Sequence, residues 1–197
     1  KAYTIFLFWG GRVALRDLDG NFRDLVITNE ISSLAWFPDS KHILYGDRDR
    51  TKQITLENDT GITHQLWILD VITAERYMIG STEENFHHPI ISPNGQYISI
   101  LSGNTYKDAC QASPILKIIE LSDKLQRKTI HQIEQFSGLP SVGSDDSQIY
   151  PGNPKHFGTW EDSNTFVSHL RWSCARNSAQ IDGIYMIHLD TMQAERL

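Results

Sequence analysis

Short apolar runs of four to seven residues recur along this chain, and turn-forming residues stand at both ends of each run. Within the runs, apolar residues alternate with polar ones or fill the run, and β-branched and aromatic types are frequent. This pattern predicts β-strands rather than helices. Residues 123–135 have apolar positions that would also suit a short helix, but residues 127–131 fall where an outer strand is due, and we predict a strand there.

One arrangement of runs is repeated. An apolar run, a turn and a second β-rich run follow one another three times, and the turns read AWFPDS (35–40), IISPNG (90–95) and TWEDSN (159–164). A later run aligns without a gap in four places, as VALRDL (13–18), LWILDV (66–71), LKIIEL (116–121) and IYMIHL (184–189). Two of the steps between these copies are about 50 residues, and the last is longer. Such a period, with four β-runs in each copy, indicates propeller blades.

The predicted fold is therefore all-β, a β-propeller of four-stranded antiparallel blades with about four blades present. We predict a single partial propeller over residues 1–197, with an incomplete blade lacking its inner strand (1–29), two full blades (30–80 and 81–134) and a last blade (135–197) carrying an inserted loop (134–155). A propeller closes on itself to pair its edge strands. We therefore expect a fragment that associates with the remaining blades or with itself. Because the chain begins at Lys1 without Met, we also expect a processed or trimmed product.

The repeated Pro-Asp-Ser or Pro-Asn-Gly turn, with Trp or Ile before it and a β-run after it, resembles the TolB-type propeller repeat. The segment LWILDVIT (66–73) is similar to the following strand of that repeat. The last turn (159–164) departs from the pattern, because it is one residue shorter and lacks the Pro. The resemblance implies the fold, and it implies several functions: Tol-system translocation proteins, the gating propellers of prolyl-oligopeptidase and dipeptidyl-peptidase enzymes, and propeller lyases.

Composition and charge exclude some classes of function. Hydrophobic residues make up 40% of the chain and charged residues 21%. No stretch approaches the roughly 20 apolar residues that cross a bilayer, so we expect no membrane insertion. The formal net charge is −6, and the 18 Lys and Arg residues are scattered, which argues against nucleic acid as a partner.

The sequence carries no recognisable hydrolase or nucleotide motif. A Gly-x-Ser-x-Gly nucleophile elbow is missing, as is the strand and helix alternation that would present one. Gly10 and Gly11 form a lone turn pair rather than a phosphate-binding loop. We therefore expect no catalysis within these residues and no cofactor. Peptidase chemistry, if the resemblance extends that far, would lie in a domain outside them.

Histidine supplies the one pattern that resembles a metal site. His87 and His156 align at the start of the inner strand in neighbouring blades, and His88 adjoins the first, so their imidazoles could converge at the channel mouth. The resemblance to propeller lyases implies a metal site of that kind. The preferred interpretation is structural, because a His at a strand start commonly bonds to the loop above it. We predict that metal is absent.

The two cysteines fall in equivalent loops of adjacent blades. Cys110 and Cys174 each lie between the second and third strands of a blade, so their Cα atoms could approach the roughly 5.5 Å that a disulfide requires. A disulfide would indicate an oxidising compartment. Two unrelated surface thiols remain the alternative.

The inserted loop is the predicted binding region, because long loops on a rigid scaffold commonly carry specificity. Large apolar groups that we expect to be exposed favour a contact surface over a mobile spacer, the open alternative. The predicted partner-binding residues are Phe136, Leu139, Asp145, Asp146, Ile149, Tyr150 and, on a loop of the same face, Tyr106.

Together these observations predict a non-catalytic propeller scaffold that binds a protein or peptide through its loop-bearing face. The alternatives are a gating propeller of a serine peptidase and a metal-dependent propeller lyase acting on carbohydrate. We expect a periplasmic or extracellular location, with a cytoplasmic one as the alternative.

Overall fold

The computed structural model describes residues 4–8, 11–27, 30–56, 59–81, 84–103, 114–140, 149–151, 156–172 and 182–197. The chain divides into two compact units, Lys1–His87 and His88–Leu197. Strands dominate both units. Within the described residues, helical structure is limited to the 3-10 turn Ile133–Gln135. No helix in that part of the chain is long and apolar enough to cross a membrane.

The first unit holds two antiparallel sheets whose strands pair in chain order. The first sheet has three strands: β1 (Thr4–Phe8), β2 (Arg12–Arg16) and β3 (Phe22–Ile27). The second sheet has four strands: β4 (Ile31–Trp36), β5 (His42–Leu56), β6 (Asp59–Asp70) and β7 (Arg76–Gly80).

The second unit repeats this design. Its first sheet contains β8 (Phe86–Ile91, which starts just before the unit boundary), β9 (Tyr97–Ser102), β10 (Ile115–Leu121) and β11 (Arg127–Gln132). Its second sheet contains β12 (Ile149–Pro151), β13 (Thr159–Trp160), β14 (Thr165–Trp172), β15 (Gly183–His188) and β16 (Gln193–Arg196). Both β12 and β13 pair with β14, so two short segments share the inner-strand position.

Successive antiparallel meanders of four strands are the blades of a propeller. The predicted all-β propeller fold is confirmed, and in the described residues the first sheet has three strands. The ambiguous stretch before residue 133 is the strand β11, as predicted.

In two of the repeated turns, an aspartate side chain accepts hydrogen bonds from backbone N–H groups. Asp39 Oδ1 accepts the N–H groups of Lys41 and His42 at 2.8 and 3.0 Å. Asp162 Oδ1 accepts those of Asn164 and Thr165 at 2.7 Å each. A short carboxylate held this way fixes the turn that starts the next strand.

A hydrophobic core fills each unit between its two sheets. In the first unit the core lies between β2, β3, β5 and β6, and it consists of Val13, Leu15, Val26, Ile43, Tyr45, Leu69 and Val71. In the second unit the buried side chains are Leu101, Leu116, Ile118, Ile133, Phe136, Ile149, Phe157, Phe166, Leu170, Tyr185, Ile187, Leu189 and Ala194. Strands from consecutive blades supply both cores, so the blades hold one another in place.

Candidate functional site

The longest strands of the structure form a two-stranded arm in the first unit. Strand β5 pairs with β4 only as far as Asp47, which lies opposite Ile31. Beyond that point it continues to pair with β6, with a register break between Asp49 and Gln53, out to Leu56 opposite Asp59. We call residues 48–56 and 59–65 the hairpin arm. The described backbone of the arm is thus a paired hairpin rather than an irregular loop.

In the second unit, three charged or titratable side chains meet at the base of the connection between β14 and β15. His169 Nε2 lies 2.6 Å from Asp182 Oδ1, and Arg171 Nη2 lies 3.2 Å from Asp182 Oδ2. The hydrogen bond to His169 and the charge of Arg171 lower the pKa of the Asp182 carboxyl. All three side chains are between 38% and 47% exposed. The cluster therefore holds an ionised carboxylate at the surface between a His and an Arg.

On the other side of Asp182, the side chain of Arg196 contacts the backbone. The Arg196 side chain donates from Nη2 to the Asp182 carbonyl at 3.0 Å. It crosses the backbone at Gly183, where an added Cβ would lie 2.8 Å from Arg196 Nε. Sequence reasoning missed this cluster, because no motif joins His169 to Asp182.

The described part of the predicted insertion, residues 134–140 and 149–151, contributes to the core. Phe136 and Ile149 were expected to be exposed, and that expectation is wrong, since they are 3% and 1% exposed within the core of the second unit. Phe136 is buried because the chain beside it bonds to β16: Ser137 N donates to Met192 O, and Ala194 N donates to Ser137 O. Ile149 is buried because it pairs with Trp172 as part of β12. Leu139 is half-buried and packs against the same core.

Several predicted site residues lie outside the described part of the chain: Tyr106, Asp145, Asp146, Cys110 and Cys174. Tyr150 lies in β12 opposite Arg171, which places its backbone next to the His169 cluster. The disulfide and the partner-binding role of these residues therefore stay predictions.

The three candidate metal ligands are only partly described. His88 and His156 are exposed, and His87 lies in β8 with its side chain outside the description. His88 has a φ of 52°, in the left-handed region. Within the described residues, no group of three His, Cys, Asp or Glu side chains has the geometry of a metal site.

Comparison with known proteins agrees with the fold. No family model and no curated protein matches the sequence. Among solved structures, the chain is similar to an oligogalacturonate lyase in complex with manganese, with 12% identity, a TM-score of 0.63, and coverage of 99% of this chain and 50% of that chain. It is also similar to a puromycin-hydrolyzing peptidase of Mycobacterium tuberculosis, with 10% identity, a TM-score of 0.59, and coverage of 100% and 30%.

The β-propeller domain of the Trilobed protease from Pyrococcus furiosus has 12% identity, a TM-score of 0.53, and coverage of 94% of this chain and 48% of that chain. TolB from Acinetobacter baumannii has 18% identity, a TM-score of 0.46, and coverage of 94% and 37%. The chain spans half or less of the length of each of these structures. The matches with TM-scores above 0.5 show the propeller fold.

Proposed function

We propose that this chain is a non-catalytic propeller scaffold that binds a protein or peptide partner through the loop-bearing ends of its blades. The observation that carries the proposal is the hairpin arm. Strand β5 has 15 residues and β6 has 12, whereas the other strands of the first unit have five or six. Residues 49–56 therefore extend the pairing of β5 with β6 beyond the part of β5 that pairs with β4.

An arm of this kind suits recognition of an extended peptide. Its strands carry backbone N–H and C=O groups along their outer edges, and an extended peptide adds to such an edge as a further strand. The β5 side of the arm contains Arg50 and Lys52 with a single acid, Asp49, while Arg48 already pairs with Glu30 at 2.8 Å. This composition favours a partner segment that is extended and acidic.

Shortening the arm tests the proposal. Replacing residues 50–62 with an Asn-Gly turn keeps the β4 to β7 ladder through Asp47 and removes the extension. Peptides selected from a displayed random library on the full chain are measured against both proteins by fluorescence anisotropy. We expect binding to fall at least tenfold in the shortened variant, because the edge that would accept the peptide is gone.

A variant of full arm length serves as the matched control. Arg50→Gln with Lys52→Gln removes two charges and keeps the strand edge, so a peptide held by backbone pairing should lose only about two- to fivefold in affinity. Selected peptides that bind the shortened variant as tightly as the full chain would refute the proposal, as would a selection that yields no binder.

The peptidase alternative is supported by the fold matches to the puromycin-hydrolyzing peptidase and to the β-propeller domain of the Trilobed protease. The lyase alternative rests on the match to the lyase and on His87, His88 and His156. Both would require chemistry in parts of a longer polypeptide or in a metal site. A longer parent sequence with an attached hydrolase domain would favour the first, and stoichiometric manganese lost on replacing His87 and His156 would favour the second. We also propose a periplasmic or extracellular location, which the predicted disulfide would require.

A further inference from the structure

Exposed apolar side chains gather on two turns of the first unit. Leu18 and Phe22 lie on or beside the turn between β2 and β3 and are 79% and 50% exposed. Ile72 lies on the turn between β6 and β7 and is 56% exposed. Each turn joins the last two strands of its sheet, and the turn between β6 and β7 lies at the opposite end of β6 from the hairpin arm. None of these three side chains belongs to the hydrophobic core of the first unit.

A cavity of about 290 Å³ lies between the two turns. It is lined by Leu15, Asp17, Asn21, Phe22, Arg23 and Ile72. Leu15 is 3% exposed and provides an apolar floor. Since small-molecule sites usually begin at about 300 Å³ and enclose most of their ligand, this volume suits one bulky side chain of a larger partner.

Arg16 and Arg23 hold the walls of the cavity in place. Arg23 donates to the backbone carbonyls of Val71 and Ile72, which ties β3 to the turn after β6. The Arg16 guanidinium lies 5.7 Å from the centre of the Phe22 ring. At Gly20, with φ +88°, an added Cβ would lie 3.5 Å from Arg16 Nη2. The pocket is therefore a preformed feature of this corner, which lowers the entropic cost of filling it.

Both signs of charge surround the pocket, with Arg16 and Arg23 on one side of the balance and three carboxylates on the other. Asp17 accepts hydrogen bonds from Asn21 N and Asn21 Nδ2, and these bonds lower the pKa of the Asp17 carboxyl, so it is ionised at neutral pH. Asp19 and Glu75 are exposed on the same two turns. Asp17, Asp19 and Glu75 outnumber Arg16 and Arg23, whose positive charges remain although they contact a ring and backbone carbonyls. A partner that fills the pocket should therefore carry positive charge beside its apolar group.

We propose that this turn pocket binds a bulky apolar side chain of a protein or peptide partner, with a Lys or Arg next to it paired with Asp17, Asp19 or Glu75. The proposal is independent of the function assigned to the hairpin arm, because the two surfaces share no residue. An aromatic or aliphatic anchor in a preformed pocket with a charged rim is a common design of interaction hot spots.

Capped tripeptides are the probes for the test. Acetyl-Gly-Phe-Arg-amide, the same peptide with Glu in place of Arg, and the same peptide with Ser in place of Phe are titrated into the 15N-labelled full chain. We expect the first to shift the amide signals of residues 17–22 and 71–75 in a saturable way. The Glu peptide should bind about two- to fivefold more weakly, and the Ser peptide should not bind.

Variants of the pocket complete the experiment. Phe22→Ser with Ile72→Ser should lower the affinity at least tenfold, and Ile72→Ser alone is the milder substitute if the double variant does not fold. Met78→Ser removes a side chain of similar exposure, 48%, outside the lining and should leave binding unchanged. The proposal is overturned if no saturable shift occurs, if the shifts fall on other residues, or if the Ser peptide or the pocket variants bind as well as the originals.

Discussion

At the scale of single residues, Asp39 shows why an acidic residue recurs in the turns of this chain. One carboxylate oxygen accepts two backbone N–H groups, and the other lies 2.5 Å from His42 Nδ1. On the far side, His42 Nε2 lies 3.6 Å from Asp70, which itself accepts the N–H groups of Ile72 and Thr73. His42 therefore links two turn-fixing carboxylates, and the motif residues serve the fold rather than a ligand.

Removing the Asp39 carboxylate should destabilise the protein by about 1–3 kcal/mol, because two backbone donors and His42 lose their acceptor. Asp39→Asn should cost less than Asp39→Ala, since the amide oxygen can still accept the two N–H groups. Urea unfolding of both variants measures the difference. Asp19→Ala, on an exposed turn position, is the control and should change the free energy of unfolding by less than about 0.5 kcal/mol. Equal losses for Asn and Ala would contradict the assigned role of the N–H bonds.

The same carboxyl should make part of the stability depend on pH. Burial raises the pKa of Asp39, but bonds from Lys41 and His42 outweigh it, so the folded pKa lies below the ordinary value of 3.8. The stabilisation is therefore present above pH 3.8 and is lost as the pH falls through the lower folded pKa. The difference in unfolding free energy between wild type and Asp39→Asn should shrink over that window. A difference that stays constant down to pH 2 would show that the charge of Asp39 contributes nothing.

At the scale of elements, the inner strand of the last blade is assembled from two pieces. Strand β12 pairs with the far end of β14, with Pro151 opposite Leu170. Strand β13 pairs with the near end, with Trp160 opposite Phe166. The Trp160 ring stacks on Tyr97 and its Nε1 donates to Ile90 O, which joins this inner strand to the sheet of β8 to β11. The described part of the segment predicted to be an insertion thus pairs with β14 and contributes to the core.

Truncation of a side chain in β12 tests that assignment. Ile149→Ala should reduce the free energy of unfolding by about 2–4 kcal/mol, because it removes a fully buried side chain from the core. Ile184→Ala, at a position that is 51% exposed in the same sheet, should cost far less. Thermal and urea unfolding compare the two variants. Similar small effects for both would mean that Ile149 lies at the surface, as the sequence analysis expected.

At the scale of the whole molecule, repetition in the sequence was enough to predict the fold. For example, the repeated run LWILDV (66–71) coincides with the end of β6, which closes at Asp70. Burial of Phe136 was not predictable, because it depends on bonds between Ser137 and β16, more than 50 residues later in the chain. The hairpin arm was missed for another reason. Residues 48–64 are mostly polar and lack the alternation that marks a half-buried strand, since two-stranded pairing needs no buried face.

The predicted Cys110 to Cys174 disulfide would also join two segments that are far apart in the sequence. In the chain-entropy model, closing a loop of this length stabilises the folded state by about 4 kcal/mol. In the sequence, Cys110 follows β9 and Cys174 follows β14. These two strands belong to consecutive sheets, and both sheets contribute side chains to the core of the second unit. Thiol titration in denaturant without reductant, on protein purified from an oxidising compartment, should find no free thiol. Cys110→Ser with Cys174→Ser should lower the unfolding temperature, and reductant should lower that of the wild type but not that of the double variant. Two free thiols per chain, or equal sensitivity of both proteins to reductant, would refute the link and remove the main support for an oxidising location.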